Sequence, residues 1–264
     1  MKPIRVVVRG ALGRVGREVL SALCRETETE VVGAVELQVS EDYLSLPDGS
    51  GTIPFSSNLD HILDQCQPGV LVDFTTAQAA MPAVRIAAKQ GVNLVIGTTG
   101  LTAGELGEIE RLSTACKIGI VVAPNFTLGA VLMMHISKIV AKYLDYAEII
   151  EMHHHLKADS PSGTALATAK AMSQARGKPF YRSPEQEKVS DSRGKQVDGV
   201  AIHSVRLPGL MAHQEVILGA PGQTLSIRHD TINRECYMPG VILAVKEVVE
   251  RQGLIYGLDA LLNL

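Results

Sequence analysis

A chain of 264 residues, 46% of them hydrophobic, can fold as two modest domains or one large one around a sizeable core. A formal net charge of -3, only 4% aromatic residues, no Trp and no basic stripe argue against nucleic acid as the main partner. Cys24, Cys66, Cys116 and Cys236 are widely separated and read as small buried side chains, and neither a membrane span nor a secretory signal is evident. The expectation is a soluble cytoplasmic protein with no membrane partner.

From the N-terminus, Ile4-Arg5-Val6-Val7-Val8 suits a strand buried in a parallel sheet. Gly10-Ala11-Leu12-Gly13-Arg14-Val15-Gly16 follows at once, and 17–24 has a helical pattern. Strand, glycine turn and helix form a variant dinucleotide fingerprint. Missing side chains permit the tight turn, the approach of a pyrophosphate and the helix–strand contact. The next strand, 30–35, ends in Glu36, about twenty residues on, where a carboxylate can bind the ribose hydroxyls of an adenosine half. A 2′-phosphate would favour Arg or Lys at the next position, which is Leu37. Arg9 and Arg14 flank the loop and could supply that charge, so NADH and NADPH both stay open.

Alternation continues with a helix at 59–65, a strand at 69–74, a helix at 81–90 closed by Gly91, a strand at 92–96, a helix at 102–115 and a strand at 118–122. This pattern predicts a Rossmann-type parallel sheet, whose ligand edge lies at the carboxyl ends of the strands. On that edge fall Gly97-Thr98-Thr99-Gly100 and Ala123-Pro124-Asn125-Phe126, read as lining the nicotinamide end of the cofactor. Ordinary turn chemistry is the alternative.

A predicted helix at 128–143 places a domain boundary near residue 127, with His135 on its apolar face as a core histidine. The strand-like 146–152 then leads into Glu151-Met152-His153-His154-His155-Leu156-Lys157-Ala158-Asp159-Ser160-Pro161-Ser162-Gly163-Thr164-Ala165. Pro161 suits the first turn of a helix that runs from Thr164 and stops at Gly177. Segment 178–199 is polar and reads as a long exposed loop. Strands at 200–207, 213–218 and 224–229, divided by Pro-Gly turns, should form with 146–152 a mixed, mostly antiparallel open sheet. The 164–176 helix backs it, and its other face is free for a second subunit. A helix at 234–250 and an apolar tail at 254–264 return to the first domain. The predicted division is 1–126 with 235–264 for the dinucleotide, and 127–234 for substrate binding and assembly: an α/β domain followed by an α+β domain.

Residues 151–165 carry the chemistry. A helix start leaves backbone N–H groups unpaired at the positive end of its dipole, so Ser162, Gly163 and Thr164 form a ready carboxylate or phosphate site. Gly163 lets an anion approach without a Cβ in the way. Lys157 and the imidazoles add positive charge and proton donors. The stretch therefore reads as a site for a small polyanion with an acid nearby. A solvated loop, simple helix capping and a zinc site are the alternatives, although no cysteine lies close enough to join the histidines.

The run from Glu148 to Ala165 resembles, without a gap, the signature of the dihydrodipicolinate reductase family of lysine biosynthesis. The glycine loop, Glu36 and the loops at 97–100 and 123–126 fall in the family's order, so the resemblance spans essentially the whole chain. It implies reduction of a cyclic dicarboxylate with NADPH or NADH, no metal, and a homotetramer assembled through the substrate-domain sheet. His153 and Lys157 would be catalytic, as proton donor/acceptor and proton donor. His154, Ser162, Gly163 and Thr164 would hold substrate. Gly10, Ala11, Leu12, Gly13, Arg14, Val15, Glu36, Gly97, Thr98, Thr99, Ala123, Pro124, Asn125 and Phe126 would hold the cofactor. Members that favour NADPH often have Arg where this chain has Leu37. Two competing readings are a non-catalytic dinucleotide sensor, which has no need of His153 and Lys157, and a zinc hydrolase, which leaves the glycine loop unexplained.

Overall fold

Val6, Val7 and Val8 are wholly buried, because the first strand runs through the middle of a sheet covered on both faces. In the computed structural model, which describes residues 2–182 and 192–264, the chain begins β1 (Ile4–Arg9), α1 (Gly16–Arg25), β2 (Thr29–Val35), β3 (Tyr43–Ser45), β4 (Thr52–Ser56) and α2 (Leu59–Cys66). It continues β5 (Val70–Asp73), α3 (Ala77–Lys89), β6 (Asn93–Ile96), α4 (Ala103–Cys116), β7 (Gly119–Val122) and α5 (Leu128–Val140). Then come β8 (Tyr146–His153), α6 (Gly163–Arg176), β9 (Lys195–Val197), β10 (Val200–Arg206), β11 (Ala212–Ala220) and β12 (Gln223–Thr231). A 3₁₀ turn (Arg234–Tyr237), α7 (Met238–Val248), β13 (Gly253–Tyr256) and α8 (Leu258–Leu262) complete it. Two units result, Met1–Leu128 with Arg234–Leu264 and Gly129–Asn233.

In the first unit the strand order is β13-β7-β6-β5-β1-β2-β4-β3, parallel throughout except for β3, which runs against β4. The winding reverses between β1 and β5, and Arg9 is level with both Val35 and Asp73. A sheet of this order opens its ligand crevice beyond those strand ends. Val7, Leu71, Leu94 and Ile120 pack beneath Ile62 of α2, Val84 and Ala87 of α3 and Ile109 of α4. The second unit is a sheet of order β12-β11-β8-β10-β9, with β8 and β10 parallel and every other pairing antiparallel. Ala147 and Ile149 of β8 face Ala165, Ala169 and Met172 of α6, whose small side chains let the helix lie close.

Several predicted boundaries move, each for a local reason. β3, β4 and β9 fall where no strand was expected: they are short, and β4 carries Pro54. The apolar tail contains β13, which adds a parallel strand beside β7. α3 starts at Ala77, before Met81, so Pro82 lies inside the helix and removes one of its backbone hydrogen bonds. The 234–250 helix divides into the 3₁₀ turn and α7, with Pro239 in the first turn of α7. Of the expected 178–199 loop, residues 183–191 lie outside the described residues. Among the described residues no helix is long and apolar enough to cross a membrane.

Candidate active site

At the carboxyl edge of the first unit the glycine turn is shaped by contact. Gly10 has φ +77°, and a Cβ there would lie 2.8 Å from the Phe74 carbonyl oxygen. A Cβ on Gly16 would stand 1.9 Å from the Gly10 carbonyl oxygen, so α1 can follow β1 this closely only with glycine at that position. The Gly10 amide donates to Val35 O (2.9 Å) and the Gly13 amide to Gly10 O (3.0 Å). Leu12 N–H donates to Glu36 Oε2 at 3.0 Å, and Glu36 Oε1 accepts from Leu37 N–H at 2.9 Å. Glu36 thus closes over the glycine turn. Among the described residues no acceptor meets the N–H groups of Arg14 and Val15, which stand at the start of α1.

Other predicted cofactor residues divide by what they can offer. Ala11 and Ala123 are wholly buried, so any contact from them is through the backbone. Phe126, 2% exposed, packs at a tilt against Phe74 with ring centroids 5.5 Å apart, and a Cβ on Gly97 would collide with that Phe74 ring. Phe126 is therefore a core anchor for the 123–126 loop. Thr98 is buried with its Oγ1 unpaired, whereas Thr99 and Pro124 are exposed. Asn125 Oδ1 accepts from Thr127 N–H at 2.9 Å, an Asx turn. Arg9 is committed: its Nη1 donates to Asp73 Oδ2 at 2.7 Å and to Thr75 Oγ1 at 3.0 Å, on the β5 side and away from Glu36. Arg14 is exposed and makes no such bond among the described residues, which leaves it as a cation beside the loop, next to Arg17, whose Nε donates to Leu12 O at 3.0 Å.

In the second unit the predicted catalytic stretch is the connection from β8 to α6. Along β8, Ala147, Ile149 and Glu151 are buried in alternation, so Glu151 points into the packed side with its side chain fully enclosed. Its Oε2 lies 2.6 Å from His153 Nδ1 and 2.9 Å from Arg206 Nη1; its Oε1 accepts from Arg206 Nη2 at 2.8 Å and from Ser162 N–H at 3.2 Å. Burial alone would raise this carboxyl's pKa. Hydrogen bonds from His153, Arg206 and Ser204 outweigh it and hold the value at about 2. An ionised carboxylate only accepts, so Nδ1 of His153 must carry its proton. The other ring nitrogen, Nε2, has no partner among the described residues.

Lys157 is one turn away in the same connection: its N–H donates to His154 O at 3.1 Å, and its Nζ to Asp159 Oδ1 at 2.7 Å. That bond, ahead of the small opposing effect of burial, lowers the pKa of Asp159. The side chain of His154 is exposed. Ser162 is N-cap of α6, its Oγ accepting from Ala165 N–H at 3.2 Å, and it is 2% exposed. With its hydroxyl engaged there and its amide on Glu151, Ser162 shapes the helix start, a different task from the substrate contact expected of it. Gly163 and Thr164 are the next N–H groups, unmatched by any acceptor among the described residues, and a Cβ on Gly163 would meet nothing within 4 Å. Thr164 O is held from below by Thr168 Oγ1 (2.8 Å), which accepts from Gln214 Nε2 (2.9 Å). Among the described residues, no three His, Cys, Asp or Glu side chains gather as ligands for a metal ion.

Residues 4–126 match the family model described as dihydrodipicolinate reductase, N-terminus, and residues 129–262 match its C-terminus. The chain belongs to the dihydrodipicolinate reductase family. A reductase of this family from Dehalococcoides mccartyi, named 4-hydroxy-tetrahydrodipicolinate reductase, is 56% identical over the whole of both chains. One of the same name from Moorella thermoacetica is 49% identical, covering 98% of each. The solved structure of a dipicolinate-bound dihydrodipicolinate reductase from Paenisporosarcina sp. TG-14 is 37% identical, with a TM-score of 0.87, covering 97% of this chain and 98% of that one. Measured against this dihydrodipicolinate reductase frame, the residues that sequence reasoning left without a role are Glu151, Arg206 and Asp73, the partner that takes up Arg9. Glu151 carried a signal, a carboxylate at a core-facing position of an alternating strand. Arg206 carried none, because its partner lies in a different strand.

Proposed function

We propose that this enzyme reduces 4-hydroxy-tetrahydrodipicolinate to tetrahydrodipicolinate with NADPH or NADH, in the diaminopimelate route to lysine. The observation that carries this reading is the β8–α6 connection. There a carboxylate-held His153, Lys157 and the open N–H groups of Gly163 and Thr164 sit together. Support for the ligand class comes from the dipicolinate-bound relative. A sensor without chemistry would have no use for this arrangement.

A reduced nicotinamide supplies the hydride. The glycine turn fits such a cofactor, since Cβ atoms at Gly10 and Gly16 would fill its cradle and Thr98 Oγ1 is buried without a partner. Gly10, Ala11, Leu12, Gly13, Arg14 and Val15 hold its phosphates, Glu36 its ribose, and the backbone of Gly97, Thr98, Thr99 and 123–126 its other end. Gly163 and Thr164 bind a substrate carboxylate, and His154 stands beside it. Replacing a ring hydroxyl by hydrogen consumes one hydride and one proton and releases water, so the site must deliver a proton. Lys157 gives it, with His153 Nε2 facing the same ring. Leu37 is 87% exposed and carries no charge, so the preference for a 2′-phosphate is left to Arg14 and both cofactors serve. Assembly is as a homotetramer in the cytoplasm, through the sheet face away from α6, where Ile150, Met152 and Ile217 lie between the Arg193–Glu148 and Arg228–Glu215 pairs.

The test is absorbance at the reduced-nicotinamide band, with substrate made in place from pyruvate and aspartate semialdehyde, in parallel with NADH and NADPH. Substrate-dependent oxidation with both is expected, at rates within about tenfold of each other. Binding of either cofactor without oxidation would overturn the reading.

A further inference from the structure

We infer that Glu151 and Arg206 are positioning residues for the reduction: Arg206 orients the Glu151 carboxylate, which holds the His153 proton on Nδ1 and turns Nε2 to the substrate. This rests on the reductase reading, and wild-type turnover tests that reading separately.

The pair is a hub for the whole connection. Arg206 comes from β10, where it is level with His153 of β8. Both of its terminal nitrogens bond the two oxygens of Glu151, at 2.9 and 2.8 Å, the fork geometry that fixes a carboxylate in its plane. Nη2 also donates to Asp159 O at 2.6 Å. Glu151 in turn accepts from Ser162 N–H at 3.2 Å. The loop bearing Lys157 is therefore fastened on its C-terminal side at Asp159 and Ser162, and the imidazole at its start is held by the remaining carboxylate contact, 2.6 Å from Nδ1.

Every lone-pair direction of Glu151 faces a donor, and this is what makes the arrangement specific. An amide of the same shape cannot satisfy it. With its oxygen toward His153, its NH₂ would face Arg206 Nη2 and Ser162 N–H. Reversed, its NH₂ would face Nδ1 and force the proton to Nε2. In a catalytic triad, loss of the orienting carboxylate with its geometry intact costs several powers of ten in kcat through the wrong tautomer. A structural ion pair makes a different demand: when both charges are replaced by apolar side chains of similar volume, stability is commonly kept.

The experiment compares the wild type with Glu151→Gln and with the double variant Glu151→Met/Arg206→Met. Thermal unfolding, kcat, KM and the ¹⁵N shifts of the His153 ring are measured for each. Positioning predicts that kcat falls by about 10²-fold or more in both, while KM for the cofactor moves less than about threefold. With its NH₂ at the Oε2 position a glutamine meets one fixed donor, Arg206 Nη1, and at the Oε1 position two, Arg206 Nη2 and Ser162 N–H, so Glu151→Gln takes the first orientation and the Nδ1–H signal of His153 is lost. The double variant carries the test if Glu151→Gln fails to fold, because it removes both charges together. A double variant with wild-type unfolding and kcat within about threefold of wild type would show the pair to be structural only. An unchanged His153 tautomer in folded Glu151→Gln would also overturn the inference.

Discussion

The turn after β1 and the connection between β8 and α6 both present a helix N-terminus beyond the end of a strand, but they are made in opposite ways. The first is made by leaving atoms out. Gly10 and Gly16 touch backbone so closely that a single methyl would collide, and the polar work falls to main-chain N–H groups and one carboxylate, Glu36. The second is made by placing charges. Gly163 has open space around it, while Glu151, Arg206 and His153 form a buried network in which every contact depends on which atom is donor and which acceptor. One site should be sensitive to volume and tolerant of charge, and the other the reverse.

Removing the proton donor should have the largest effect on that comparison. Lys157→Ala deletes an ammonium that is 23% exposed and whose partner, Asp159, is itself exposed, so the fold should be unchanged. Steady-state kinetics should show kcat reduced by about 10²- to 10⁴-fold, with cofactor affinity intact. Near-normal turnover would remove Lys157 from the mechanism.

Next in size is a methyl group at the other site. Gly16→Ala drives a Cβ into the Gly10 carbonyl and should cost about 1–3 kcal/mol of stability, the usual range for overpacking. Fluorescence titration should show NADH affinity weakened by at least about tenfold, with kcat on saturating cofactor less affected. The smallest effect sharpens the contrast: Gly163→Val sets its Cβ where no described atom lies within 4 Å, so its unfolding temperature should stay close to that of the wild type. Its bulk stands where an anion would approach, and KM for the substrate should rise about tenfold. If Gly163→Val destabilised the fold and Gly16→Ala did not, the two sites would have been assigned the wrong way round.

How far the sequence disclosed these sites follows the same division. The glycine spacing, Glu36 and the helix start at 162–164 are local in sequence, and the structure has the turn at Gly10, the carboxylate over Leu12 N–H and a helix start close to where local pattern puts them, although with Ser162 as N-cap Pro161 precedes the helix and does not stand in its first turn. What could not be read is long-range. Phe126 looks like a loop residue next to Asn125, and only the fold brings it against Phe74. Arg9 flanks the glycine turn in sequence, yet its charge is spent on Asp73, a partner one strand over. Arg206 meets Glu151 because β8 and β10 are parallel neighbours, a pairing that no short-range period encodes. Likewise β13 was hidden in an apolar tail, since a four-residue strand acquires its identity from the β7 edge it covers.

The most direct test of the account is a crystal structure of the chain with pyridine-2,6-dicarboxylate and reduced cofactor. One carboxylate is predicted on the N–H groups of Gly163 and Thr164, with Lys157 Nζ and His153 Nε2 facing the ring. A dicarboxylate bound elsewhere, with those N–H groups left to water, would contradict the claim that the β8–α6 connection is where the chemistry happens.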